Sequence, residues 1–254
     1  MSDDRMSAIA EYVRAHGDVR IDTLTEHFGV SRMTIHRHIE RLARQGVLRK
    51  LHGAVTAQPS SIYESLYAYR AQSEPEVKAA LARAALSEIT PGLAVALDDS
   101  TTATALGPLL AQTAPLSVIT NSLALMQTLA GVDDIALIGV GGDYAPTYNA
   151  FIGPGAEDAL ARLRVNVAIC SASGIADGAA LVQDGLVTRA KAAMLDAAER
   201  RVLLAASPKF GRIALNKLAP LTSFDAVYTD SRLAEATARS LRDAGVTLHI
   251  VEIS

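Results

Sequence analysis

Seven short apolar runs, separated mostly by helix-length segments, constrain this chain more than any other feature. They recur at residues 94–97, 116–120, 135–139, 165–170, 202–206, 226–229 and 247–253. An uninterrupted apolar run, unlike an alternating one, suits a strand covered on both faces. The pattern therefore predicts an α/β architecture, a mainly parallel sheet with helices on both faces. None of the runs approaches the roughly 20 apolar residues needed to cross a bilayer, so no membrane partner is expected. With 254 residues, there is room for one large domain and one small one. Half the residues are hydrophobic and 20% are charged, which supplies a core and excludes a disordered chain. No internal repeat or low-complexity tract interrupts the pattern.

The first 57 residues have a different rhythm. Ile9, Ala10 and Val13 repeat with helical spacing over residues 6–15, and His16-Gly17-Asp18 stops the run. A second helix over residues 21–28 ends at Gly29-Val30, and Ser31 is placed to cap a third over residues 33–45, buried through Ile35, Ile39 and Leu42 and ended by Gly46. Two short helices joined by a tight glycine turn form a helix-turn-helix. Residues 47–51 alternate as a strand, His52-Gly53 turns, and residues 54–56 return as a wing. Residues 1–57 are thus a winged helix-turn-helix domain. Gln58-Pro59-Ser60-Ser61 and the Tyr63, Tyr67 and Tyr69 stretch form a linker over residues 58–72, and residues 73–254 form the domain for effector sensing and oligomerisation. Ser73 and Glu76 match a capping box opening a helix that runs to Ile89.

Charge follows the same division. Residues 1–57 carry nine Lys and Arg against seven Asp and Glu; the remainder carries fifteen against twenty. Within residues 31–52, Arg32, Arg37, Arg41, Arg44, Arg49 and Lys50 face a single acid, Glu40. A local cationic patch on an otherwise acidic chain is suited to phosphate contact. The expected DNA contacts are Ser31, Arg32, Thr34, His36, Arg37 and His38 on the third helix, with Arg49, Lys50 and His52 of the wing on the backbone. One such module has a small footprint on a double-stranded operator, so a homodimer or homotetramer is expected.

Ligands of open α/β sheets bind at the carboxyl ends of strands. Asp98, Asp99, Ser100, Thr101 and Thr102 follow the first run, Thr120, Asn121 and Ser122 the second, and Gly141 and Gly142 the third, with Gly153 within reach. Lys209 follows the fifth, and Lys191 lies on the preceding helix. Hydroxyls and backbone N–H groups hold phosphate, carboxylates accept sugar hydroxyls, and glycines let backbone approach a ligand. Together the loops indicate a polyhydroxylated anionic effector. For any one loop alone, however, capping of a helix is the simpler reading.

The sequence has no nucleophile elbow, P-loop, zinc signature or dinucleotide fingerprint. No enzyme activity, cofactor or metal is expected: His36, His38 and His52 lack carboxylates at metal spacing. A polar start and the single Cys170, unable to form an internal disulfide, point to the cytoplasm.

Gly29-Val30-Ser31-Arg32-Met33-Thr34-Ile35-His36-Arg37, Leu42, Gly46-Val47-Leu48 and Leu51-His52-Gly53-Ala54 form one ordered set of motifs. Arg70, Lys78, Asp98, Thr101-Thr102, Thr120-Asn121-Ser122, Gly141-Gly142, Gly153-Pro154, Gly174-Ile175, Gly178, Lys191 and Lys209-Phe210-Gly211 continue it. Over nearly its full length the chain resembles the DeoR family of bacterial transcriptional regulators. The resemblance implies a winged helix joined to a Rossmann-like sensor domain similar to ribose-5-phosphate isomerase, which binds a phosphorylated sugar or related metabolite and relieves repression of a carbohydrate-metabolism operon. The alternative is a sugar-phosphate isomerase-like enzyme with an added DNA-binding domain, in which Asp98 or Asp99 serves as base. A third reading gives the winged helix a protein partner. Several positions depart from the family pattern: Ser100 replaces a usual Gly, His36-Arg37-His38 a usual Arg-Arg-Asp, Val187 a Glu, and Ala206 and Pro208 an Asp and a Ser. Loss of an acid beside Lys209 favours an anion there.

Overall fold

A computed structural model describes residues 2–44, 48–56 and 66–253. The chain divides into two compact units, Met1–Ser73 and Glu74–Ser254. Among the described residues, no helix is long and apolar enough to cross a membrane.

In the first unit, helices α1 (Ser2–His16), α2 (Ile21–Phe28) and α3 (Arg32–Arg44) pack around one core of Met6, Ile9, Ala10, Val13, Leu24, Ile35, Ile39 and Leu42. Gly29 ends α2 in the left-handed conformation at φ 61°, where a Cβ would be disfavoured. The Ser31 hydroxyl accepts the Thr34 N–H at 3.2 Å, so the expected cap of α3 is present. Strand β1 (Val19–Arg20) pairs with β3 (Ala54–Thr56), which pairs antiparallel with β2 (Arg49–Lys50) to complete the wing. The expected helix end at Gly46 and strand start at Val47 lie outside the described residues, as do Gln58-Pro59-Ser60-Ser61 and Tyr63. Part of the stretch read as a linker is instead helical, Tyr67–Gln72. Its two large apolar residues, Tyr67 and Tyr69, lie two apart, so they gave no helical period.

The second unit is built on a seven-stranded sheet of β4 (Ala94–Leu97), β5 (Leu116–Thr120), β6 (Ile135–Gly139), β9 (Val165–Cys170), β12 (Ala198–Leu204), β14 (Ala226–Asp230) and β15 (Leu248–Val251). These are the seven apolar runs. All pairings are parallel, in spatial order β6-β5-β4-β9-β12-β14-β15. One core lies on the face of Ala96, Ala168, Cys170 and Leu203, and another on the face of Val95, Leu97, Val167 and Ile169, so helices cover both faces. Strand order reverses direction between β4 and β9, which opens a crevice at their carboxyl ends. β12 begins at Ala198, four residues before its apolar run, because Ala198, Arg200 and Arg201 still pair with β9.

The helix opened by the Ser73–Glu76 stretch has Glu74, not Ser73, as its N-cap. Ser73 donates its hydroxyl to the Tyr69 carbonyl at 3.0 Å, and Glu74, at φ 51°, precedes a helix spanning Pro75–Ala85 followed by a 3-10 turn. Five short strands of the second unit lie outside the predicted runs: β7 (Asp143–Ala145) with β8 (Ala150–Ile152), and β10 (Gly174–Ala176), β11 (Ala179–Val182) and β13 (Asn216–Pro220).

Candidate functional site

The first unit presents one polar helical face. On α3, Ile35, His38, Ile39 and Leu42 point inward, whereas Arg32, Met33, His36, Arg37, Glu40 and Arg41 are exposed. The exposed set recurs in pairs four residues apart, a single stripe along the helix. Arg32 lies 3.5 Å from Asp22 of α2, and Lys50 of the wing is 3.0 Å from Glu40. Ser31 and Thr34 bring their hydroxyls within 2.9 Å of each other at the start of the helix. His52 is exposed at the tip of the wing, and Arg49 is part-buried with its Nε enclosed.

His38 requires a correction. It is only 4% exposed, so it cannot reach DNA as the sequence reading expected. Burial holds its pKa below the ordinary imidazole value, and Arg37, Arg5 and Arg41 add to that shift.

In the second unit the crevice is organised by a buried ion-pair cluster. Asp98 follows β4 and is fully buried. Its Oδ1 accepts the Ser100 N–H at 2.9 Å and the Ser100 hydroxyl; its Oδ2 accepts the Ser171 N–H at 2.8 Å and Lys191 Nζ. Lys191 also lies 2.9 Å from Asp99 Oδ1. Burial acts to lower the pKa of this lysine, but the two carboxylates outweigh it and hold the ammonium well above its ordinary range. The helix Gly185–Asp196 delivers Lys191, and Asp184 caps it by accepting the Leu186 and Val187 N–H groups at 2.7 and 3.2 Å. From the far side, Lys209 Nζ donates to Ser171 Oγ at 2.7 Å. Ser171 is a site residue that the sequence reading passed over, although it directly follows the fourth apolar run.

The structure divides the expected effector residues into scaffold and lining. Asp98 and Lys191 are committed to one another. Ser100 caps the Thr101–Thr104 helix through the Ala103 N–H at 3.0 Å, which accounts for serine at that position without a ligand. Thr120 and Ser122 accept the Ser122 and Leu125 N–H groups at 3.1 and 3.4 Å, again as turn and cap. A Cβ on Gly142 would meet the Ile152 carbonyl at 2.6 Å, and one on Gly153 would meet the Asp143 carboxylate at 3.0 Å, so both glycines accommodate the protein's own groups. Gly141 has open space beside it. Val187 packs against Ile152, Val182 and Ala190, and Ala206 is buried in the core, so two of the family departures are apolar packing.

Asn121 is different. It is 2% exposed, and its Nδ2 donates to the Phe151 carbonyl at 3.0 Å, which fixes the amide orientation. Its Oδ1 is buried and, among the described residues, accepts no hydrogen bond. A buried acceptor without a donor is costly in a finished fold, and commonly signals a missing partner. Thr101 and Thr102 are buried beside the Asp98 cluster.

Residues 5–60 match the DeoR-like helix-turn-helix domain and residues 73–231 the DeoR C terminal sensor domain. The chain is 31% identical over 247 residues to the glycerol-3-phosphate regulon repressor of Escherichia coli (strain K12), covering 97% of this chain and 98% of that protein. It is 30% identical over 232 residues to the L-fucose operon activator of Haemophilus influenzae, covering 91% and 93%. Ribose 5-phosphate isomerase A of Methanocaldococcus jannaschii superposes over 54% of this chain and 55% of that one, at 16% identity and a TM-score of 0.40. The chain belongs to the DeoR family of DNA-binding transcriptional regulators.

Proposed function

We propose that this regulator holds an operator through the exposed face of α3 and the wing, and is released when a phosphorylated sugar or related metabolite occupies the crevice. Residues 1–57 carry DNA binding, residues 58–72 connect, and residues 73–254 sense and assemble. Arg32, His36 and Arg37 meet bases and phosphates; Ser31, Thr34, Arg49, Lys50 and His52 support backbone contact. The released-repressor reading is supported by the Escherichia coli relative, which is named as a repressor. A dimer or tetramer supplies the footprint that a single winged helix lacks.

The observation that carries the ligand assignment is the buried Oδ1 of Asn121, an acceptor awaiting a donor such as a sugar hydroxyl. Lys209, part-buried on the other side of the switch point, is the anchor for the anion, and Gly141 leaves room for the ligand backbone. The same geometry supports sensing over catalysis. Asp98 already accepts from four donors, and Lys191 is held in its charged form, so neither is placed to take a proton from carbon.

A thermal-shift panel of sugar phosphates, including glycerol 3-phosphate, tests this reading. At a hundredfold excess over Kd, a ligand adds about 2.7 kcal/mol, which raises the melting temperature by about 5–11 °C in a unit of this size. Asn121→Leu and Lys209→Met should each remove most of that shift. A panel that leaves the wild-type melting temperature unchanged refutes the assignment.

A further inference from the structure

Met33 is 82% exposed, the most exposed large apolar side chain among the described residues. It is the second residue of α3 and lies outside the core that Ile35, Ile39 and Leu42 enter. Its surroundings on the outward stripe are Arg32, His36 and Arg37, all exposed and polar. Ser31 and Thr34, at the same end, hydrogen bond with each other. An unbranched thioether stands among polar side chains at the end of the helix from which a helix-turn-helix reads base edges.

We propose that Met33 reads the C5-methyl group of a thymine in the operator major groove. The inference builds on the DNA-binding role of α3. A thioether side chain offers no strong donor or acceptor to the N7, O6 or N4 groups that mark the other bases, whereas the thymine methyl is the one apolar feature of the major-groove edge. Arg32, its neighbour in sequence, lies 3.5 Å from Asp22 of α2, so the apolar tip is a distinct reading element beside a cation turned toward α2. His36 then supplies a polar contact to an adjacent base, Arg37 holds phosphate, and Met33 fixes an A·T pair next to them.

The test uses the full chain and a duplex recovered by selection from random-sequence DNA. Each thymine of the selected site is replaced in turn by deoxyuridine, which deletes only the methyl group, and binding is followed by fluorescence anisotropy. Wild type should lose about fourfold in affinity at one thymine per half-site, the worth of one buried methyl group at about 0.8 kcal/mol. Met33→Ala should bind the thymine duplex about fourfold more weakly than wild type and be indifferent to the replacement. Met33→Leu, which keeps an apolar tip, should retain the sensitivity. The exposed position leaves folding unaffected in both variants, as circular dichroism would verify. Selected duplexes without a required A·T pair, wild-type binding indifferent at every thymine, or Met33→Ala with wild-type sensitivity would each overturn the proposal. No enrichment of any duplex would overturn the DNA-binding reading together with it.

Discussion

Replacing Lys191 by methionine should damage the sensor unit far more than replacing Lys209. The Lys191 side chain is 6% exposed and sits against two carboxylates that are 0% and 2% exposed, so solvent screens the cluster very little. Lys191→Met preserves length and apolar volume but leaves Asp98 and Asp99 buried without their cation. Breaking a buried ion pair in this way costs about 3–5 kcal/mol. For a unit of this size, that corresponds to a loss of about 6–20 °C in melting temperature. Lys209→Met, at a part-exposed position, should change stability by less than about 1 kcal/mol. The double variant Lys191→Met with Asp99→Asn should recover part of the loss, because it removes one of the two buried carboxylate charges that Lys191 offset. Differential scanning calorimetry of the full chain, following the sensor transition, measures all three. A fall of under about 2 °C for Lys191→Met would refute the scaffold role and return this lysine to the ligand.

Other consequences are as direct. Arg37→Ala should weaken binding across sequences and reduce the magnitude of the salt slope, log K against log[salt], by about 1; an unchanged slope would remove Arg37 from the phosphate contacts. Because the folded pKa of His38 is lowered, the unfolded chain takes up its proton first as pH falls through the ordinary imidazole range. Stability of the DNA-binding unit is therefore fullest above that range and declines on acidification, and His38→Gln should flatten the decline in urea melts. Gly142→Ala should destabilise by about 1–3 kcal/mol through the clash with the Ile152 carbonyl, while Gly141→Ala should leave stability within about 1 kcal/mol but weaken ligand shifts.

The seven strands of the large sheet were legible because strands covered on both faces are mainly apolar, a pattern that persists even in β6, the edge strand with no fully buried residue. The short antiparallel strands were harder to see: β7, β8 and β10 have three residues each, β13 carries Asn, Lys and Pro, and only β11, Ala-Ala-Leu-Val, is an apolar run of the length of β4. One signal was present: Asp177-Gly178, with φ 49° and 66°, is the turn joining β10 to β11, and an Asp-Gly pair favours just that two-residue hairpin. His38 was likewise readable. It lies three residues after Ile35 and four before Leu42, in phase with the core, but its chemistry suggested the polar face. The crevice was located by the strand-end rule, yet sequence does not reveal which hydroxyls are used up. Ser100, Thr120 and Ser122 look identical as cap and as ligand contact until their N–H partners are seen. Ser171 and Lys209, thirty-eight residues apart, meet only because β9 and β12 are neighbours.

The joining of DNA grip to metabolite sensing is tested most directly by following the anisotropy of a labelled selected duplex bound to the full chain while a stabilising sugar phosphate is titrated in. The wild-type complex should dissociate over the concentration range that raises the melting temperature, and Lys209→Met should bind the duplex as tightly but stay bound. A wild-type complex that persists at saturating ligand, or two proteins that release the duplex alike, would contradict it.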